Sequence, residues 1–303
     1  KTGDLMDKLQ ALEEKRLKIV KAYKKEQTTG IILLVIGIIG FVIGLLNEIS
    51  PLLVIGIMLF AIAIYFFGKA RNHHNTFRKV IKKDLITSLL EDQFESVTYQ
   101  PELMINVSRI NQVGLVKRPD KYTGEDYISG MYKGVKFEVS DVDLKERHET
   151  RDSNGNRTVT YETYFKGRWY IYTFERQFED VLKVVEGRFN SADKRGLIKI
   201  ETESIQFNKK YQIYASTQEY AFYHITSSLI EKLLELEALH RGTIQYCYIK
   251  NELHIGVNDR HDYMELSLKK PINEANLKDF MSDIDLIPAI INELRLDSQK
   301  FKR

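Results

Sequence analysis

Two apolar runs near the start of the chain constrain it more than any other feature. Thr28 to Leu46 and Ser50 to Gly68 are separated only by Asn47, Glu48 and Ile49. Each approaches the roughly 20 apolar residues that cross a bilayer, and neither carries an internal charge. The pattern predicts two transmembrane helices, about 28–46 and 50–68, joined by a tight turn. A cleaved signal peptide does not fit, because the first run starts well inside the chain, lacks a small-residue cleavage site and is followed at once by a second run. Buried hairpins of soluble cores are usually shorter than this.

The flanks predict an orientation. Lys15, Arg16, Lys18, Lys21, Lys24 and Lys25 precede the first run, while Lys69, Arg71, Arg78, Lys79, Lys82 and Lys83 follow the second. The connecting turn carries only Glu48. By the positive-inside rule both ends belong in the cytoplasm, which gives a multi-pass protein of the cytoplasmic membrane. Through Lys83 there are 14 basic and 6 acidic residues, so of the formal net charge of +3 this part contributes +8 and the remainder −5. The basic excess is therefore a membrane-flank effect, and no nucleic-acid partner is expected. A single cysteine, Cys247, excludes a disulfide framework within one chain and suits a reducing compartment. Lys1 in place of Met suggests that the numbering starts inside a longer or trimmed product.

Small residues recur every seven positions in both runs, at Gly30, Gly37 and Gly44 and at Gly56, Ala63 and Ala70. If the hairpin turns about residue 50, facing numbers add to about 100, and Gly44 faces Gly56, Gly37 faces Ala63 and Gly30 faces Ala70. Matched small residues let two membrane helices approach closely where lipid offers no hydrophobic drive. Gly40 adds a further notch, and Ser50 with Pro51 suits a helix start. The same register pairs Tyr23 with Phe77 and Arg16 with Asp84. This predicts a stalk of two long helices, Asp4 to Leu46 and Pro51 to Glu95, within a helical region 1–96.

Beyond the stalk, region 97–303 changes to an alternating pattern. Met131 to Phe178 alternates apolar and polar residues on either side of Asn154-Gly155, a dipeptide suited to a tight turn, and reads as a long β-hairpin. Gly196 to Ser216 reads as strand, break and strand. Glu219 to Leu239 reads as a helix, Thr243 to Asn258 as a second hairpin around Lys250-Asn251, and Asn273 to Leu296 as one or two helices broken or restarted at Pro288. The expected fold class is α+β: the two-helix antiparallel hairpin with its stalk, then a mixed, mainly antiparallel sheet with a few helices, open to division near 190–196.

The segments RPDKYTGEDYISGMYKGVKFEVSDVDL (Arg118 to Leu144), YFKGRWYIYTFERQF (Tyr164 to Phe178) and IETESIQFNKKYQIYASTQEYAFYHIT (Ile200 to Thr226) together resemble the bacterial family catalogued as domain of unknown function 3137. The resemblance implies a double-spanning membrane protein with no assigned reaction, encoded near LemA-type membrane proteins. It implies a membrane-associated protein partner and transfers no catalytic residues.

The residues themselves show no phosphate-binding glycine loop, nucleophile elbow or kinase signature. His73-His74 reads as a headgroup-level basic pair rather than a metal site, and no metal or other cofactor is expected. His240, Cys247 and His254 bracket the second hairpin without a carboxylate to complete a catalytic set. The most site-like segment is YTGEDYISG, read as a glycine-punctuated loop whose Tyr122, Glu125, Asp126 and Tyr127 are candidate binding residues for a cation or basic partner, against the plainer reading of a structural turn. Trp169, in the aromatic ladder Tyr164, Phe165, Trp169, Tyr170, Tyr172 and Phe174, is a further candidate, although alternating aromatics in a strand usually pack both faces of a sheet. The leading expectation is a non-enzymatic membrane-anchored scaffold or adaptor in contact with the bilayer. Lipid handling and an enzyme acting on a membrane substrate follow, and a homo-oligomer stays open.

Overall fold

The computed structural model describes residues 2–151, 155–187, 191–239, 242–265 and 267–302. Two compact units divide the chain: Lys1–Leu89 with Leu266–Asp279, and Leu90–Glu265 with Phe280–Arg303.

In the first unit, α1 (Thr2–Leu46) and α2 (Ser50–Thr76) form an antiparallel hairpin, followed by a π-helical stretch Phe77–Lys82 and by α3 (Lys83–Gln93), whose last residues already belong to the second unit. Two helical segments here are long and apolar enough to cross a membrane, and only 17% and 11% of their most apolar windows are buried. A soluble core helix would hide these side chains, whereas Ile36, Ile39, Ile57 and Met58 all face outward. The surface fits association with a membrane.

The seam between the helices consists of small residues. Gly30, Gly37 and Gly44 on α1 and Gly56, Ala63 and Ala70 on α2 are buried while their large neighbours are not. The register differs from the one expected from sequence. A Cβ on Gly44 would meet the amide nitrogen of Leu53, one on Gly37 that of Phe60, and one on Gly30 the ring of Phe67, so facing numbers add to 97 rather than 100. The cause is the turn. Helix α1 ends at Leu46 and α2 begins at Ser50, which centres the reversal near Glu48, held at φ 55°, rather than at residue 50. Gly56 consequently lies against Gly37 and Phe41, not Gly44. A methyl group added at Gly40 would meet nothing within 4 Å, so that glycine stands off the seam. Beyond the π-helical stretch the partners shift again: Lys15 approaches Asp84 at 4.0 Å, and Arg16 turns instead to Glu13 and the carbonyl of Leu268, each at 2.7 Å. Inserted π turns offset a helix against its neighbour in this way.

Among the described residues the second unit is built on one nine-stranded sheet, antiparallel throughout: β1 (Glu95–Gln100), β2 (Lys121–Tyr132), β3 (Val135–Arg151), β4 (Arg157–Thr173), β5 (Val181–Glu186), β6 (Ile198–Ile200), β7 (Tyr211–Ala215), β8 (Thr243–Ile249) and β9 (Glu252–Asn258). The spatial order is β1-β2-β3-β4-β9-β8-β5-β7-β6. The sheet includes strands from both sides of 190–196, so it is not divided there. The long β3–β4 hairpin follows the predicted alternation, and its expected Asn154-Gly155 tip lies partly outside the described residues. At the β8–β9 turn Lys250 takes φ 54°, as a two-residue hairpin requires.

Helices α4 (Val107–Val113), α5 (Ile205–Lys210), α6 (Gln218–His224), α7 (Ser227–Leu239) and α8 (Glu274–Glu293) complete the chain with a 3₁₀ turn Gln299–Phe301. The single helix expected over Glu219 to Leu239 is two, because Ile225 leaves the helical conformation at the end of α6. Pro288 sits inside α8 without ending it. On one face of the sheet Val142, Leu144, Trp169 and Ile171 pack against Ile105, Ile110, Val113 and Leu115 from α4 and its flanks. On the other, the hydroxyl of Tyr172 donates to the carbonyl of Ile287 in α8 at 3.1 Å.

Candidate functional site

Strand alternation places Glu138 of β3, Trp169 of β4, and Glu252 and His254 of β9 on the face covered by α4. Helix α4 starts where the side chain of Asn106 accepts the amide of Ser108 at 2.9 Å, and stops at Gly114 in the left-handed conformation. Seven residues are enough to carry Arg109 over the sheet. Its guanidinium forks between Glu138 and Glu252, the latter at 2.6 Å. Glu138 also accepts the hydroxyl of Tyr127 at 2.8 Å. Glu252 meets His254 Nε2 at 2.9 Å, and the indole N–H of Trp169 reaches His254 Nδ1 at 3.3 Å. An indole can only donate, so Nδ1 must accept and the imidazole proton must sit on Nε2, directed at Glu252. Burial holds the His254 pKa below its ordinary value, against the pull of Glu252. The hydrogen bond from His254 lowers that of Glu252, and Arg109 adds to the effect. The chain Tyr127–Glu138–Arg109–Glu252–His254–Trp169 is internally satisfied, with a neutral histidine whose nitrogens are both engaged.

On the opposite face Arg168, fully buried, donates from Nε to Asp141 at 2.8 Å and stacks on the ring of Tyr263, 4.2 Å from its centroid. The amide of Tyr263 donates to the other Asp141 oxygen at 3.0 Å. Burial pushes the Asp141 carboxyl up to about 6 against the attraction of Arg168, so it remains ionised at neutral pH. Burial opposes the charge on Arg168 too, but Asp141 keeps its pKa above the usual range. Such a pair holds strands and α8 in register; breaking it by removing one partner would cost about 3–5 kcal/mol.

The sequence candidates are not gathered into one surface site. Tyr122 is exposed, while Asp126 and Trp169 are buried. The segment expected to be a loop is strand β2, interrupted between Glu125 and Ile128 by a bulge. Asp126 is the bulge residue, at φ 58°, and accepts the Tyr99 hydroxyl at 2.5 Å. Gly124 is required because a Cβ there would overlap the Asp141 carbonyl and the side chain of Met104. Both features belong to strand pairing. Trp169 and Tyr127 do meet, but only through the internal chain above. Cys247 faces His254 across β8–β9, with burial pushing its thiol up to about 12, while His240 lies outside the described residues. Among the described residues no three His, Cys, Asp or Glu side chains are placed to hold a metal ion. The sequence reading missed Arg109, Arg168 and Glu252. For Arg109 a signal existed, since Asn106 and Gly114 bracket a capped helical turn.

No curated protein matches the chain significantly. Among solved structures, the crystal structure of the mycobacterial trehalose monomycolate transport factor A, TtfA, is similar at 7% identity and a TM-score of 0.38, covering 70% of this chain and 95% of that one. A likeness at that level carries no inference about what this chain binds. The match to a sequence family is more specific and falls mainly on the second, sheet-built unit, the β-domain. It takes in the resembling segments Tyr164 to Phe178 and Ile200 to Thr226, whereas Arg118 to Leu144 lies outside it. Over residues 163–296 the chain matches the family described as "Protein of unknown function (DUF3137)".

Proposed function

We propose that this chain is a membrane-anchored binding module: the apolar hairpin crosses the cytoplasmic membrane twice, both of its ends lie in the cytoplasm, and the β-domain recognises a membrane-associated protein. The observation that carries the recognition reading is the outer part of the β3–β4 hairpin. Pairing of β2 with β3 stops at Lys121↔Lys145 and pairing of β4 with β9 starts at Gly167↔Asn258, so among the described residues 146–151 and 157–162 form a two-stranded ribbon flanked by no third strand, with only the Arg147 amide at its base taken up, by Asp120 at 2.8 Å. It is laced by polar contacts such as the Arg157–Glu149 ion pair at 3.1 Å and the approach of His148 Nε2 to Glu162 at 3.2 Å, and it exposes Val159 and Tyr161. Open edges with exposed apolar side chains are how strand-mediated contacts form. An adaptor role without catalysis is further supported by the engagement of Asp141, Glu252 and His254 with internal partners and by the burial of Cys247. The partner expected from the family resemblance is a LemA-type membrane protein.

Lipid handling receives less support. A cleft of about 640 Å³ in the first unit has mostly apolar walls, with Leu9 and Ile272 beside Glu13 and Glu14, but it is open rather than enclosed, whereas a site that buries most of its ligand is concave and closed. The test is site-specific photo-crosslinking in native membranes, with the probe at Tyr161 on the ribbon or at exposed Ile198 on the far edge strand. A discrete protein adduct from Tyr161 alone supports the reading. No adduct from the ribbon, or identical adducts from both positions, contradicts it.

A further inference from the structure

A second region of the β-domain combines buried polar atoms that have no partner with cations that, among the described residues, meet no carboxylate. His224, at the end of α6, is 3% exposed and ringed by Tyr248 (4.4 Å between ring centroids), Tyr220 (4.7 Å), Phe178 (5.1 Å) and Tyr223 (5.2 Å). Neither of its ring nitrogens has a hydrogen-bond partner among the described residues, and neither has the buried hydroxyl of Tyr220. Buried polar groups are almost always satisfied, so three orphan atoms in one cluster call for a ligand or water to complete them.

Two cations converge on the same cluster. Arg176 donates from Nη1 to the Tyr223 hydroxyl at 3.2 Å, and Lys300 donates to the Tyr223 carbonyl at 2.7 Å. Both also sit over the Tyr223 ring, at 5.8 and 4.5 Å from its centroid. Burial lowers the Lys300 pKa to about 8. Burial, and then Lys300 and Arg176, bring His224 down to about 3, which places both charges within electrostatic reach of the imidazole. Asp180 acts electrostatically on Tyr220 from the same side.

We propose that Arg176, Lys300, Tyr220 and His224 receive a phosphoryl group. Two like charges on one ring repel until an anion joins them. Among the described residues Lys300 and Arg176 each have donors left over, and the hydroxyl and an imidazole N–H add neutral donors. Several separately mounted donors suit the three oxygens of a phosphate better than the two coplanar oxygens of a carboxylate, which favour a single guanidinium fork. The phosphoryl group has two possible sources, a lipid headgroup or a free phosphate. Exposed Phe222 and Tyr223 beside the cations would suit the headgroup level of a bilayer. The site stands independently of the ribbon and of any protein partner.

The experiment uses the full chain in neutral detergent micelles, with inorganic phosphate and dioctanoyl phosphatidic acid as separate probes and dioctanoylglycerol as the uncharged control. Binding is read from ³¹P chemical-shift changes and from the shift in thermal unfolding. Wild type is expected to bind a phosphate-bearing probe and not the diacylglycerol. Arg176→Gln, an exposed substitution, should weaken binding about tenfold or more, and Arg176→Gln with Lys300→Gln should abolish it. Binding of inorganic phosphate supports a free phosphate ligand, while binding of the lipid alone supports a headgroup. Equal binding by wild type and the double variant, or no binding of either probe by wild type, overturns the proposal. His224→Phe, which retains the ring packing, should lower affinity without lowering the unfolding temperature; unchanged affinity in that variant removes His224 from the site.

Discussion

Replacing Gly56 by alanine adds one methyl group at the tightest point of the helical hairpin. Its Cβ would lie 2.9 Å from the carbonyl oxygen of Gly37, 2.9 Å from Phe41 Cβ and 3.0 Å from the Phe41 amide nitrogen. Ordinary contact starts near 3.4 Å, so the helices must separate locally by about 0.5 Å. Two of these three neighbours are backbone atoms, which cannot rotate away, and a gap of that size forfeits about a quarter of the dispersion energy of each atom pair along the seam. Overpacking of this kind costs about 1–3 kcal/mol. Gly40→Ala is the matched control. It makes the same chemical change on the other helix but meets nothing within 4 Å. Relief of glycine's backbone entropy should leave that variant neutral or stabilised by up to about 1 kcal/mol. Unfolding of the full chain in bicelles, followed by steric trapping with tags on α1 and α2, measures both. Equal stabilities for Gly56→Ala and Gly40→Ala would refute close packing at the Gly37–Gly56 crossing.

The register itself is open to crosslinking: cysteines at Gly37 and Leu59, whose Cβ atoms would stand 3.2 Å apart, should form a disulfide under mild oxidation, while Gly37 with Ala63 should not; efficient bridging of the second pair alone would restore the register that sums to 100. Asp126→Asn keeps a residue that tolerates φ 58° but loses the charge on its bond to Tyr99, so the melting temperature should fall by an amount equivalent to about 1–2 kcal/mol with crosslinking from Tyr161 unchanged. A change in crosslinking at unaltered stability would make Asp126 a recognition residue after all. Because the folded pKa of His224 is depressed to about 3, its contribution to stability is present above about pH 6.5 and is lost as pH falls toward 3. In phosphate-free buffer His224→Phe should therefore flatten the acid limb of the stability profile by about one proton, and an unchanged slope would contradict the buried, neutral assignment.

What could be read from the sequence was local. The apolar runs, the seven-residue spacing of small side chains and the alternation in β3 and β4 are each visible within a window of a few turns or strand residues. The helix register slipped because it hangs on a single turn residue: with Glu48 rather than residue 50 at the centre, every facing pair moves by three. Gly124 was misread because the constraint on it comes from Asp141, its neighbour across the strand pair, and not from its own sequence context. The Arg109 network was invisible for the same reason. Its guanidinium joins carboxylates 29 and 143 positions away, a coincidence that only the sheet order β3-β4-β9 produces. The cluster around His224 likewise assembles the segment after β4, the last turn of α6, strand β8 and the C-terminal 3₁₀ turn.

The central claim is that the hairpin anchors a cytoplasmic β-domain at the membrane. Cysteine accessibility in intact cells tests it most directly, using Cys247→Ser protein with one new cysteine at Glu48 in the helix turn or at exposed Tyr161 on the ribbon. Glu48→Cys is expected to react with a membrane-impermeant maleimide from outside, and Tyr161→Cys to react only after the membrane is opened. Labelling of Tyr161→Cys in intact cells, or protection of both positions together with release of the protein from membranes by carbonate, would contradict the anchored, cytoplasmic arrangement.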